Sequence, residues 1–203
     1  MSRFLKIYLL VVLSVFSTLN LSANDTFFSI EKQSSSVEEL AEAGGSFGKY
    51  STKFDDFVEV LQKESLFGDD ALTFLDAEYR TVKTTSTVTA YRAFGGNAKV
   101  GGTFVTTTSG VSRADLAILD EWNNTMRFEA KINIPSDVKM SVGKAAPQTS
   151  SDALQTLSGG GDQAILPYQW DTQWVAEIKD LTTGNIYNSV DEFAIDFPNL
   201  VNQ

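Results

Sequence analysis

From Met126 to Ile134 the chain alternates without a break: Met126, Phe128, Ala130, Ile132 and Ile134 fall on one side, Arg127, Glu129, Lys131 and Asn133 on the other. A period of two over this length predicts a strand with one face in a core and one toward solvent or a charged neighbour. Pro135 ends it. Upstream, Thr81 to Thr89 is almost wholly Thr, Val, Ser and Lys, a composition that favours strand. Val88, Ala90, Arg92 and Phe94 then alternate with Thr89, Tyr91 and Ala93. Further short strands are predicted around Val138 to Val142, Ala164 to Leu166 and Trp174 to Ile178, with a Thr182-Thr183-Gly184-Asn185 turn leading to Ile186-Tyr187. Ala145 to Ser158 reads as a loop with one helical turn over Ser151 to Leu157, and Asp191 to Leu200 as an edge strand or terminal turn.

Before Glu78 the period differs. Ser36 and Glu39 form a capping-box pattern that opens a helix over Val37 to Ala43, closed by Gly44-Gly45. From Lys53 to Lys63, Phe54, Phe57, Val58 and Leu61 fall at i, i+3, i+4 and i+7, which predicts a helix with one apolar face. Asp69 is placed to cap a third helix through Leu72, Phe74 and Leu75, and Ser112 with Asp115 to open a fourth through Leu116, Ile118, Leu119 and Trp122. The expected class is α+β: a helical region over 24–80 packed on a mostly antiparallel β-rich region over 81–203.

The first 23 residues read as a secretory signal peptide. Arg3 and Lys6 precede the apolar run Ile7 to Phe16, and Leu21-Ser22-Ala23 supplies a cleavage site after Ala23. Ser17, Thr18 and Asn20 interrupt the run before it reaches the ~20 residues of a membrane span. A secreted or periplasmic protein with no stable membrane span after cleavage is therefore expected. Loss of Arg3 and Lys6 leaves 14 basic residues against 26 acidic ones, a net charge of −12. That balance argues against nucleic acid as a partner, since phosphate backbones are bound by Lys/Arg patches. The chain has no Cys and no His. Thiolate nucleophiles, Ser-His-Asp triads and Cys- or His-ligated metals are excluded, and chemistry falls to carboxylates, amides, hydroxyls and Arg.

Two glycine-rich stretches gather such groups. In the first, Tyr91-Arg92-Ala93-Phe94-Gly95-Gly96 leads through Gly101-Gly102 to Thr103-Phe104-Val105-Thr106-Thr107. An Arg at such a strand end is either a bidentate donor for an anionic ligand or a strand arginine paired with a surface acid. In the second, Gly159-Gly160-Gly161-Asp162 delivers Gln163 where a loop free to bend becomes a strand. Glu129 shares its face with Arg127 and Lys131, which reads as a charge ladder. Trp122, Trp170 and Trp174 are core or rim residues, any of which could stack on a nucleobase.

On these motifs the chain resembles the necrotizing-toxin type (TNT) NAD glycohydrolase domain, a relative of the ADP-ribosyltransferase toxins. The resemblance spans Thr87 to about Leu181. It implies a bent, split sheet of the ADP-ribosyltransferase kind and a secreted, toxin-type hydrolase for which NAD is the substrate. No prosthetic group or metal is implied. By this likeness Arg92 and Gln163 are catalytic: Arg92 holds the NAD diphosphate and Gln163 acts on the nicotinamide ribose. Thr106 shapes the nicotinamide pocket, and Tyr91, Phe94, Gly95, Gly96 and Thr107 complete the NAD-binding set. An immunity or target protein is the partner such a toxin implies. The alternative is a non-catalytic secreted protein that uses the same scaffold to bind a nucleotide-like ligand or a protein.

Overall fold

The structure is a computed structural model that describes residues 47–201. The expected signal peptide over 1–23 and the expected helix Val37 to Ala43 lie outside the described residues. From Lys49 onward the chain forms one compact unit, in which strands far outweigh helix. In chain order they are β1 (Val58–Val60), β2 (Phe74–Thr84), β3 (Val88–Gly96), β4 (Phe104–Val105), β5 (Asn124–Ile134) and β6 (Lys139–Ala145). They continue with β7 (Gln148–Thr149), β8 (Thr156–Leu157), β9 (Asp162–Ile165), β10 (Val175–Asp180) and β11 (Ile186–Tyr187), followed by one α-helix, α1 (Val190–Asp196).

The strands build a five-stranded sheet ordered β1-β2-β6-β9-β4 and a four-stranded sheet ordered β11-β10-β5-β3, with β7 and β8 a separate ribbon. Every pairing is antiparallel. The alternation that opens the sequence is realised in β5, where Phe128, Ala130, Ile132 and Ile134 are all buried. They meet Val82, Met140, Val142 and Ala164 of the five-stranded sheet in one apolar core. The two sheets are joined edge to edge at Tyr91 and Thr106. Tyr91 and Thr106 exchange backbone N–H···O bonds of 2.8 Å in both directions, joining β3 to the residue after β4.

Three expected helices give way to other structure, each for a local reason. Over 53–63 there is a single 3-10 turn, Asp55–Phe57, and then β1. The Asp55 carboxylate accepts from the Thr52 N–H (2.9 Å) and the Ser51 hydroxyl (2.8 Å) and pairs with Arg80, which holds the chain at one turn. Val58, Glu59 and Val60 then take backbone partners from β2, so the helical period serves a sheet edge, with Phe57 and Val60 about half exposed. Asp69 makes no side-chain cap; a 3-10 turn over Asp70–Thr73 runs straight into β2, which crosses residue 80 without interruption. The Ser112 hydroxyl does receive the Asp115 N–H (3.1 Å), but Ala117 turns to φ +51°, and helix formation stops after one turn.

Two other segments also differ. Ser151 to Leu157 contains no helical turn, because β7 and β8 pair Gln148 with Leu157 and Thr149 with Thr156. The tail is α1, not a strand. Ser189 caps it by accepting the Glu192 N–H at 3.1 Å, while Glu192 reaches back to the Asn188 N–H at 2.7 Å, a near capping box. Phe193 and Phe197, four residues apart, then fall on one helical face against Phe128.

At the end of β10, buried Asp180 is a junction. Arg127 donates from Nη2 (2.7 Å) and Nε (3.3 Å), and the Thr182 and Thr183 N–H groups add two bonds, holding the Asp180 carboxyl at about 2 against the usual 3.8. A depressed acid stabilises the fold fully above its unfolded pKa and loses that contribution as pH falls through the folded value. The urea midpoint is therefore expected to fall as pH drops from 3.8 toward about 2, and Asp180→Asn to flatten that part of the curve. An unchanged acid slope in the variant would reject this role.

Candidate functional site

Arg92 shares its parity on β3 with buried Val88, Ala90 and Phe94, so its side chain enters the fold where the core opens. Its Nε donates to the Lys99 carbonyl (2.9 Å) and its Nη1 to the Phe104 carbonyl (2.7 Å). Gly102 lies against the guanidinium so closely that any side chain there would overlap Nη2 and Cζ. The second glycine pair thus serves close approach to Arg92. Among the described residues no carboxylate pairs with Arg92 and Nη2 makes no hydrogen bond. Burial without a counter-charge lowers its pKa to about 10, which leaves it a cation at neutral pH.

Gln163 comes from β9, where it lies opposite Gly143 of β6. Its Nε2 donates to Thr73 Oγ1 (2.9 Å) and to the Thr73 carbonyl (3.2 Å), and Thr73 Oγ1 donates in turn to the Asp70 carbonyl (2.7 Å). The amide is thereby oriented, with Oε1 left without a partner among the described residues. The triple glycine ahead of it is tied down, contrary to the expectation of a loop free to bend. Gly159 and Gly161 donate to the Ala114 and Asp115 carbonyls (both 2.9 Å), and Gly160 to that of Ala145 (2.8 Å). Gly159 and Gly160 take φ of +64° and +95°, a conformation glycine adopts at no steric cost.

These residues share one cleft of about 470 Å³, lined among others by Tyr91, Arg92, Thr106 and Gln163. That size suits a small organic ligand. Its walls include Phe104, Leu116, Ile118 and Trp122, of which Trp122 stands about half exposed at the rim. Thr106 is 96% buried, and its Oγ1 has no hydrogen-bond partner among the described residues. Such an orphaned hydroxyl in a cleft wall is a standing cost of about 1–3 kcal/mol unless a water or ligand meets it.

The other four expected site residues lie elsewhere. Phe94 is fully buried against Phe128 and Phe193 and does not line the cleft. Gly95 and Gly96, at φ +136° and +63°, let β3 pass Asn123 and Thr125, whose atoms a Cβ would overlap; they serve packing against β5. Thr107 follows Thr106 and so faces the opposite way, donating to Asp162 Oδ2 at 2.5 Å. Burial pushes the Asp162 carboxyl up, but Lys144, the Lys53 N–H and Thr107 outweigh it and hold it below the usual range. Asp162 and Gln163, adjacent in sequence, therefore sit on opposite faces of β9 with different tasks. Glu129 accepts from the Ser109 hydroxyl (2.6 Å) and the Gly110 N–H (2.7 Å), while Arg127 is taken by Asp180, so no Arg127–Glu129 ladder forms.

Asp70, Thr73 and Gln148 also line the cleft, and sequence reasoning missed all three as site residues. The neighbouring Asp69 was read as a helix cap, and Asp70 was given no role. Trp170 is core, its Nε1 donating to the Gly102 carbonyl (3.2 Å) and its ring stacked on Trp174. Among the described residues no cluster of three or more Asp and Glu is placed to hold a metal ion. Chemically, the cleft offers a fixed cation, an oriented amide oxygen and an orphaned hydroxyl on apolar walls. Comparison with known proteins finds no matching family model, no matching curated protein and no matching solved structure.

Proposed function

We propose that the chain is a secreted NAD-cleaving enzyme of toxin type, a glycohydrolase that breaks the nicotinamide–ribose bond, or an ADP-ribosyltransferase where a protein takes the place of water. The observation that carries the reading is the convergence of Tyr91, Arg92, Thr106 and Gln163 in one cleft, with no carboxylate paired to Arg92 among the described residues. A guanidinium without a carboxylate counter-charge is the group a diphosphate needs, because its planar fork suits phosphate oxygens. Gln163 Oε1 is free to accept from a ribose hydroxyl, and such a bond strengthens as the sugar carbon gains oxocarbenium character. Thr106 supplies a hydroxyl for the nicotinamide amide. The chemistry needs positioning and charge stabilisation more than a strong base, which suits a chain without His or Cys. In this reading the junction of the two sheets at Tyr91 and Thr106 is the split of an ADP-ribosyltransferase-like sheet. An immunity or target protein is the corresponding partner.

The test is nicotinamide release from NAD by purified protein. Gln163→Ala should lower kcat about 10²-fold, the scale of losing one positioned polar group in a transition state, with ADP-ribose binding retained. A wild type that releases no more nicotinamide than the Arg92→Ala/Gln163→Ala double variant overturns the enzymatic reading. A second reading is favoured by the neutral amide at Gln163, which carries no charge to stabilise a cation: a non-catalytic protein that binds a nucleotide-like ligand in the same cleft. Calorimetric binding of NAD and ADP-ribose without turnover would establish it.

A further inference from the structure

We infer that Asp70 is a further catalytic residue of the cleft, the base that accepts a proton from the water attacking the ribose. The inference rests on the NAD-cleaving reading and adds a residue to it. Asp70 opens the 3-10 turn Asp70–Thr73, and that turn fixes Gln163: its Thr73 receives both amide hydrogen bonds and donates to the Asp70 carbonyl. The Asp70 carboxylate is thus carried on the element that orients the group assigned to the ribose. It is the cleft's one acidic lining residue, half-buried, and it makes no side-chain hydrogen bond or ion pair among the described residues. This sets it apart from Asp55, Asp162 and Asp180, whose carboxylates are all consumed in structural pairs. The orphaned Thr106 Oγ1 in the same cleft independently points to a polar ligand there.

The charge that acts on Asp70 is that of Asp69 on its own turn; Arg92 from β3 and Tyr91 are the other titratable residues lining the cleft. Burial, and then the Asp69 charge, raise Asp70 above the usual 3.8. A carboxylate raised in this way is a better base than an exposed one. In the step, the bond between ribose C1′ and the nicotinamide ring nitrogen breaks, and its electron pair goes to that nitrogen, neutralising the pyridinium. The water oxygen bonds to C1′, and its proton passes to the Asp70 carboxylate and then to solvent. The products are ADP-ribose, nicotinamide and one proton, with no oxidant or reductant required.

The experiment follows nicotinamide release against pH with the full chain and its Asp70→Asn and Asp69→Asn variants, beside ADP-ribose calorimetry. Asp70→Asn should lower kcat about 10²-fold, remove the acidic limb of the kcat profile and leave ADP-ribose affinity unchanged. Asp69→Asn should keep the plateau rate and shift the acidic limb to lower pH, which a structural role for this turn would not do. Wild-type kcat and limb in Asp70→Asn would overturn the role of Asp70 alone. A wild type inert toward NAD would overturn this inference together with the reading beneath it. Should Asp70→Asn not fold, an unmoved limb in Asp69→Asn overturns the assignment.

Discussion

Phe128→Ala should lower the unfolding free energy by about 3–5 kcal/mol, the range for emptying a large aromatic site in a core. Phe128 is 1% exposed and packs on Phe94, Phe193 and Phe197 at ring-centroid distances of 5.5, 5.0 and 4.8 Å. It stands opposite Phe94 in the β3–β5 register and opposite Asp180 in the β5–β10 register. The Arg127 guanidinium covers its ring from outside, 4.8 Å from the centroid. Removing the ring therefore loosens β3, β5 and α1 together. Urea denaturation followed by tryptophan fluorescence reads the loss as a lower midpoint at nearly constant slope. A cost below about 1 kcal/mol would mean the aromatic cluster closes over the gap and is not the centre of the core.

On the proposed NAD-cleaving reading, Arg92→Ala should weaken ADP-ribose binding about 10²-fold, since hydrogen bonds to a charged partner contribute about 1.5–3 kcal/mol. Arg92→Lys should recover little of it. A Lys ammonium cannot hold the Lys99 and Phe104 carbonyls in the same fork while presenting a further planar donor. The Ala variant also strands those two carbonyls, at a stability cost of about 1–3 kcal/mol, so affinity is measured well below each variant's unfolding midpoint. Wild-type affinity in Arg92→Lys would show that charge alone, without guanidinium geometry, is what the cleft uses.

Much of the strand content was legible, because burial on one face writes a period of two into the residues. Met126 to Ile134 became β5, Val88 to Phe94 the body of β3, and Val138 to Val142 the centre of β6. Helices were not legible: among the described residues none of the expected ones formed, and α1, where a cap and a packing partner coincide, was not expected. Lys53 to Lys63 has the helical period, yet Asp55 is captured by its neighbours and by Arg80, 25 residues away. Asp191 to Leu200 was read as an edge strand or terminal turn, although Ser189-x-x-Glu192 and the Phe193/Phe197 spacing together specify α1.

The opening alternation of β5 carried through to the tertiary structure because it depends only on which side chains water rejects. The paired glycines marked a loop, but the fit of Gly102 beneath the Arg92 guanidinium was visible only in the tertiary structure. What only the tertiary structure decided is which polar groups share a space. Thr106 and Thr107 are chemically alike and adjacent, as are Asp69 and Asp70, but strand parity and one 3-10 turn send a single member of each pair into the cleft lining. Such selection depends on pairings between residues as distant as Thr73 and Gln163, and a local pattern of residues carries no record of that register.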